Sequence, residues 1–387
     1  FNSCRVLLRY PVTDLKIPYV NLSAQWQSEK KELLPIIESV IASGTYVGGE
    51  VVEEFETAVA AYLQSPFCVA VNSCTDALVL GLAALGVRRG DEVITPPNSF
   101  IASTAAIVHL GATPVFVDVL PSQSLDPALV ERAITGKTKA IMPVHLGGRM
   151  VDMDQICEIA KANNIAVIED AAQSIGSTFN GIKSGTFGEV GCFSAHPLKN
   201  LNAIGDGGFV AFKSEVLANQ VKTQRSHGLV DRNTVERFGY VSRLDAIQAA
   251  VLTYRLKHLE HTIEKRRANA ALYRSLLDPE FVFVPDDDPR ERNSYHTFVV
   301  QVDRRDDLIA HLNSCGIGTA IHYPIPIHLQ SAAKFLGHSL GSFPATEQQS
   351  KRILTLPINQ FLTHDQIGDV AVAINKFFHT SLKSSDQ

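Results

Sequence analysis

Short apolar runs alternate with longer amphipathic stretches along most of the chain, and this alternation predicts an α/β fold. Runs of strand type lie at 67–71, 92–95, 114–119, 140–144, 166–169, 190–194 and 208–212. Helical periodicity fills most of the gaps, at 76–85, 101–110, 126–134 and 153–163. The strand runs are apolar throughout instead of alternating, so the sheet is expected to be mostly parallel and covered on both faces. A long amphipathic segment at 242–277 opens on a Ser-x-x-Asp capping pattern at Ser242 and Asp245 and stops at Asp278-Pro279. Beyond it, segments at 295–302, 305–314, 317–322 and 365–377 predict a smaller α+β unit. The expected organisation is an N-terminal extension at 1–16, a large domain at 17–255, and a small C-terminal domain with its linking helix at 256–387.

Composition narrows the class without naming a chemistry. With 387 residues, 45% of them hydrophobic and 19% charged, and a net charge of -5, the chain suits a soluble globular protein of one large and one smaller domain. No basic run suggests a nucleic-acid surface. The run at 1–10 has only three apolar residues between arginines, too short for a signal-peptide core or a membrane span, and no function is assigned to 1–16. Cys4, Cys68, Cys74, Cys157, Cys192 and Cys315 show no paired spacing, so buried reduced thiols are expected, with no disulfide and no metal site. The cytoplasm is the expected compartment.

One segment carries most of the chemical information. Gly191-Cys-Phe-Ser194-Ala-His196-Pro197-Leu-Lys199-Asn200 continues into Gly205-Asp206-Gly207-Gly208, placing a single lysine just after an apolar strand, with a hydroxyl five residues before it. The run at 165–169 leads into Asp170, so strand ends could bring Asp170 and Lys199 to one cleft. Pyridoxal phosphate needs that pair, an amine for its aldehyde carbon and an anion to keep its ring nitrogen protonated. Taken singly, such a lysine is more often a solvated loop residue and such an aspartate a helix cap. The combination shifts the balance. A nicotinamide enzyme is set aside because neither Gly48-Gly49 nor Gly205 to Gly208 forms a GxGxxG between a strand and a helix, and no Walker A sequence is present.

FSxHPxKNL followed by GDGG and preceded by EDAAQS resembles the DegT/DnrJ/EryC1/StrS family of pyridoxal-phosphate sugar aminotransferases. Further blocks in the family's order are Gly44-Thr-Tyr46-Val-Gly-Gly49, Asn72-Ser73-Cys74-Thr75-Asp76, Pro143-Val-His145-Leu-Gly147, Gly239-Tyr-Val241-Ser-Arg243-Leu-Asp245 and Ile321-His322-Tyr-Pro324. The resemblance runs from about Ile17 to Phe377 and implies a fold type I transferase.

It also implies roles. The amides of Cys74 and Thr75 and the hydroxyls of Thr75 and Ser194 would hold the cofactor's phosphate, although glycine is commoner in the family at position 74. Asp170 would meet the ring nitrogen, Gln173 the 3-hydroxyl, and Phe100 would cover the ring. Lys199 would hold the cofactor and then act as the base. Tyr46, His196 and His322 are candidate substrate contacts, with His196 equally able to be a satisfied structural histidine. Arg243 would reach the phosphate of a neighbouring subunit in a homodimer with shared sites, since Val241 stands where the family often has asparagine. The implied reaction moves nitrogen from an amino acid, glutamate by analogy, through pyridoxamine phosphate to a nucleotide-linked ketosugar. The GDGG segment favours a 3-keto acceptor, whereas His196 points toward a 4-keto one. Two other readings stay open, a related sugar dehydratase, whose lysine is replaced by histidine, and a non-catalytic regulatory homologue.

Overall fold

The computed structural model describes residues 15–385, so Cys4 and nearly all of the 1–16 extension lie outside the described residues. A seven-stranded sheet forms the centre. Its spatial order is Phe67–Val71, Gly208–Phe212, Val190–Ser194, Ala166–Asp170, Thr138–Ile141, Glu92–Thr95 and Thr113–Phe116. Gly208–Phe212 runs antiparallel to both neighbours, while Val190–Ser194 and the strands beyond it pair in parallel.

The unalternating runs are explained by burial on two faces. Val69 and Val71 point into a cluster with Leu78 and Leu82 of helix Cys74–Ala84. Cys68 and Ala70 face the other way, toward Phe55, Val59, Leu252 and Ile263. Phe193 and Phe209 stack in that second layer at a centroid distance of 4.8 Å. Burying each Val, Leu, Ile or Phe side chain among these contributes about 1.5–3 kcal/mol, and a one-residue register slip would exchange the two layers.

Several boundaries depart from the sequence expectation. The runs at 114–119 and 140–144 become the shorter strands Thr113–Phe116 and Thr138–Ile141, because the regular ladder ends before the apolar residues do, leaving only single backbone bonds at Val117 and Met142 and an isolated bridge at Val144. The helix expected at 76–85 begins two residues earlier, at Cys74, with Ser73 as its N-cap. The capping pattern at Ser242 is not used. Ser242 Oγ bonds Asn72 Oδ1 at 3.1 Å instead, and the helix starts at Ala246 after an Asp245 that makes no side-chain cap. The long segment is two helices, Ala246–Leu256 and Leu259–Leu276, separated by a break at Lys257 and His258.

The C-terminal part forms a three-stranded antiparallel sheet of Val282–Phe283, Phe298–Val302 and Ile353–Leu356. Helices Leu259–Leu276, Arg305–Ser314 and His364–Ser385 supply side chains to its core, with Tyr273 and Phe298 stacked at 5.1 Å. The segment at 317–322 contributes only isolated bridges, Ile17 to Ile317 and Ala320 to Thr355. Ile17 is buried in this C-terminal core. Strand Glu291–Arg292 pairs with Thr178–Phe179, tying the two parts of the chain together. The described cysteines are free; Cys68, Cys74 and Cys192 are buried, but against the expectation of burial Cys157 is half-buried and Cys315 is exposed, the latter because it follows the last turn of a surface helix. No helix among the described residues is long and apolar enough to cross a membrane.

Candidate active site

Three strand ends build the site. Gly208 pairs with Val71 on one side and Ser194 on the other, so the hydroxyl of Ser194 and the start of helix Cys74–Ala84 lie at the same edge of the sheet. A Cβ at position 208 would stand 2.5 Å from the Ser73 carbonyl carbon and 2.7 Å from Cys74 N. Only glycine allows that approach. Ser73 Oγ accepts from Asp76 N at 3.2 Å, a plain N-cap, which leaves the amides of Cys74 and Thr75 unspent in the first turn. Unsatisfied donors at a helix N-terminus favour an anion.

Asp170 ends the strand Ala166–Asp170. Its Oδ2 accepts from Ser103 Oγ at 2.6 Å and its Oδ1 from Ala172 N at 3.1 Å. Burial raises its pKa, opposed by those two hydrogen bonds and by the charges of Lys199 and His145. The strand end is braced by Asp170 N donating to Pro143 O and His145 N donating to Asp170 O. Beneath it the buried Glu169 accepts from Gly185 N, Phe187 N and Gly188 N and meets His145 Nε2 at 3.0 Å.

Lys199 sits on the loop after Val190–Ser194, its amide donating to His196 O at 2.8 Å. That loop is pinned by Asn200 Nδ2, which donates to Ser294 O, and by reciprocal bonds between Asn202 and Gln25. Burial brings the Lys199 pKa down to about 8, and Cys74 and Asp170 pull it back up. Burial likewise pushes Cys74 well up. Gln173 Oε1 accepts from Gly147 N at 2.7 Å, and its Nε2 donates to Tyr323 Oη at 3.2 Å.

A cavity of about 400 Å³ joins these groups. Cys74, Thr75, Phe100, Asp170 and Gln173 line it together with Ser194, His196, Lys199 and His322. Phe100 is 53% exposed on its wall and packs against Tyr323 at 5.6 Å. His196 is largely exposed, with Nδ1 accepting from Leu198 N; its partial burial and the charge of Lys199 lower its pKa. Burial brings His322 down to about 4, and its Nδ1 lies 2.9 Å from Thr355 Oγ1.

Tyr46 and Arg243 do not line this cavity. Both are exposed and lie together on the outer surface, where Val47 bridges Asp245 and Tyr46 O accepts from Ala246 N.

The donor set fits pyridoxal phosphate: anion donors at one edge, an exposed aromatic face, a buried carboxylate, and an amine with a depressed pKa share one cavity. Among the described residues no group of His, Cys, Asp or Glu is arranged to hold a metal ion. Sequence reasoning missed Ser103, Tyr323, His296 and Arg266. Ser103 stands three residues after Phe100 on one helix, and Tyr323 adjoins His322, so both had a faint local signal.

Known proteins resemble this chain in sequence and fold. The solved structure of DesV from S. venezuelae in complex with a ketimine intermediate superposes with a TM-score of 0.91 at 40% identity, covering 93% of this chain and 98% of that one. The dTDP-3-amino-3,4,6-trideoxy-alpha-D-glucose transaminase of Streptomyces venezuelae is 40% identical over 94% of this chain and 96% of its own. A sugar aminotransferase from Streptococcus pneumoniae, Spr1654, solved in its PLP-form, has a TM-score of 0.83 at 27% identity over 88% of this chain and 94% of that one. A profile of the family matches residues 27–375. The chain has the fold type I architecture and belongs to the DegT/DnrJ/EryC1/StrS aminotransferase family.

Proposed function

We propose that this protein is a pyridoxal-phosphate-dependent aminotransferase that takes nitrogen from an amino acid, glutamate in the first instance, and delivers it to C3 of a nucleotide-linked 3-keto-6-deoxy sugar. The observation that carries this reading is the meeting of Lys199 and Asp170 on the cavity that also receives the amides of Cys74 and Thr75. When bound, pyridoxal phosphate supplies an electrophilic carbon and an electron-withdrawing ring. The Cys74 and Thr75 amides and the Thr75 and Ser194 hydroxyls hold its phosphate, Phe100 covers the ring, and Gln173 donates to the 3-hydroxyl with the Nε2 hydrogen not given to Tyr323. Asp170 holds the proton on the ring nitrogen. Lys199 moves a proton at the substrate carbon.

The choice of C3 is supported by the name of the Streptomyces venezuelae transaminase and by Asp206 of the GDGG segment, which lines the cavity. Purified holoenzyme given glutamate and a panel of nucleotide-linked 3-keto and 4-keto 6-deoxy sugars is expected to form the 3-amino product. A 4-amino product would overturn the position, and no amino transfer to any member of the panel would overturn the reading itself.

The proposal includes a homodimer with shared sites. The segment following helix Glu215–Gln224 folds back through bridges of Ser226 to Val241 and Leu229 to Val235, presenting Tyr240, Val241 and a fully exposed Phe238 beside Arg243. An apolar arm of this kind suits a partner surface, and a second copy would bring Arg243 to the neighbour's phosphate. Mixing Lys199→Ala with Arg243→Ala subunits is expected to restore activity, because a hybrid dimer contains one site with both residues intact. A fully active monomer in sedimentation at assay concentration would refute sharing.

A further inference from the structure

Helix Leu259–Leu276 turns an apolar stripe toward the core, with Ile263, Ala270 and Tyr273 buried, and Arg266 stands in the same stripe. Arg266 is 7% exposed and lines the cavity. Among the described residues the other buried arginine, Arg255, is neutralised by Glu29 at 2.6 Å. Among the described residues no carboxylate forms an ion pair with Arg266. Its hydrogen-bond acceptors are neutral: Tyr295 O at 3.3 Å, His296 O at 3.2 Å and Gln360 Oε1 at 3.1 Å. Its Nε is buried with no acceptor.

These contacts fix the plane of the guanidinium while leaving its charge unbalanced. An unpaired buried charge is costly and is usually relieved by a partner. Among the described residues the surroundings provide no carboxylate for this role; the one group that favours the charged form is Tyr19. Burial and the neighbouring charges of Lys199 and Arg266 keep His296 well below its ordinary pKa, and burial brings Arg266 itself down only to about 10, with Tyr19 opposing the fall, so it is still cationic at neutral pH. This wall of the cavity is therefore short of one negative charge.

We propose that Arg266, held in plane by Gln360, is the subsite for a carboxylate of the amino-acid donor. A planar guanidinium that lines the cavity and keeps one Nη2–H beyond its bond to Gln360 matches a carboxylate oxygen, which it can meet by a charge-assisted N–H bond. A nucleotide diphosphate is a poorer match, because it is bulkier, carries more charge, and brings a nucleoside that a buried wall cannot admit. The cofactor's phosphate is already provided for at Cys74, Thr75 and Ser194 in the reading above, on which this inference rests. The consequence is a division between half-reactions. Arg266 serves the amino-acid half and has no carboxylate to meet in the sugar half.

The test uses holoenzyme and apoprotein side by side. In holoenzyme, conversion of the bound cofactor by glutamate is followed by absorbance, and its reversal by ketosugar is followed separately. Arg266→Met is expected to weaken the apparent Kd for glutamate about 100-fold, and Arg266→Lys about tenfold, while that for ketosugar stays within about threefold. In apoprotein, calorimetric binding of glutarate, an unreactive dicarboxylate, is expected in the wild type and lost in Arg266→Met.

Unchanged glutamate and glutarate affinities in a folded Arg266→Met protein would overturn the subsite, as would equal weakening of both half-reactions in every variant. If Arg266→Met does not fold, Arg266→Lys and Gln360→Leu carry the comparison, and normal donor affinity in both would likewise overturn it. Wild-type protein that binds glutarate through Arg266 but transfers nitrogen from no amino acid would leave the subsite standing and remove the transaminase reading instead.

Discussion

Lys199→Ala is expected to lose transamination by about 10³-fold or more, since the group that holds the cofactor and the base that moves the proton vanish together. Cofactor binding should weaken much less, because the phosphate donors at Cys74, Thr75 and Ser194 and the aromatic face of Phe100 are untouched. The pKa of about 8 adds a second expectation. At pH 7 a pKa of about 8 leaves about a tenth of the amines neutral, against about four in ten thousand at the ordinary value near 10.4. Burial lowers the cost of losing the proton, so capture of pyridoxal phosphate by apoprotein should accelerate as pH rises and level off above about 8. Borohydride followed by peptide mapping should place the label on Lys199. A label on another lysine, or turnover by Lys199→Ala near wild type, would end the assignment.

The parts of the site that were legible in the sequence are those the sheet itself brings together. Ser194 and Asp170 end strands, and Lys199 follows one, so a parallel sheet carries all three to the same edge without further information. Phe100 and Gln173 came from the family resemblance, and their surroundings were out of reach. Ser103 meets Asp170 across 67 positions and Gln173 meets Tyr323 across 150, pairings that only the folded chain creates. Arg266 was hidden differently. In a helix that also carries Lys265 and Arg267 it looks like one more surface charge, and only burial separates it from them.

The same distinction explains the errors in the fold. Ser242 has the spacing of a capping box, but its hydroxyl is taken by Asn72, a tertiary contact that outweighs the local pattern. The break between Leu256 and Leu259 has no glycine or proline to announce it. There the helix ends in a tight turn, with His258 N donating to Arg255 O, and a second helix starts at once. The strands predicted past Phe116 and Ile141 were too long because regular pairing stops there while burial continues: Val117 and Met142 keep single backbone bonds to Thr95 O and Ile94 O, and Val119 is buried beyond them. Hydrophobic pattern reports burial directly and hydrogen-bonded pairing only through it.

Asp170→Asn separates function from stability in opposite directions. The amide has the carboxylate's shape, and both contacts can persist: its oxygen accepts from Ala172 N, while its NH₂ donates to a Ser103 hydroxyl that turns from donor to acceptor. What is lost is the negative charge that favours a protonated ring nitrogen, so turnover is expected to fall by about 10²- to 10⁴-fold with much smaller loss of cofactor occupancy. Stability should move the other way. Burial raises the Asp170 pKa in the folded chain, so its effect on stability is most favourable below the unfolded carboxylate's pKa and is lost as pH rises through the folded one. By neutral pH the buried charge is a cost, which the amide removes. The Asp170→Asn apoprotein should therefore melt at or above the wild-type temperature at pH 7, with that advantage shrinking as pH falls toward 4. Near-normal turnover would return Asp170 to the role of a buried structural carboxylate, and a variant apoprotein destabilised at neutral pH would show that the amide fails to keep the Ser103 and Ala172 contacts.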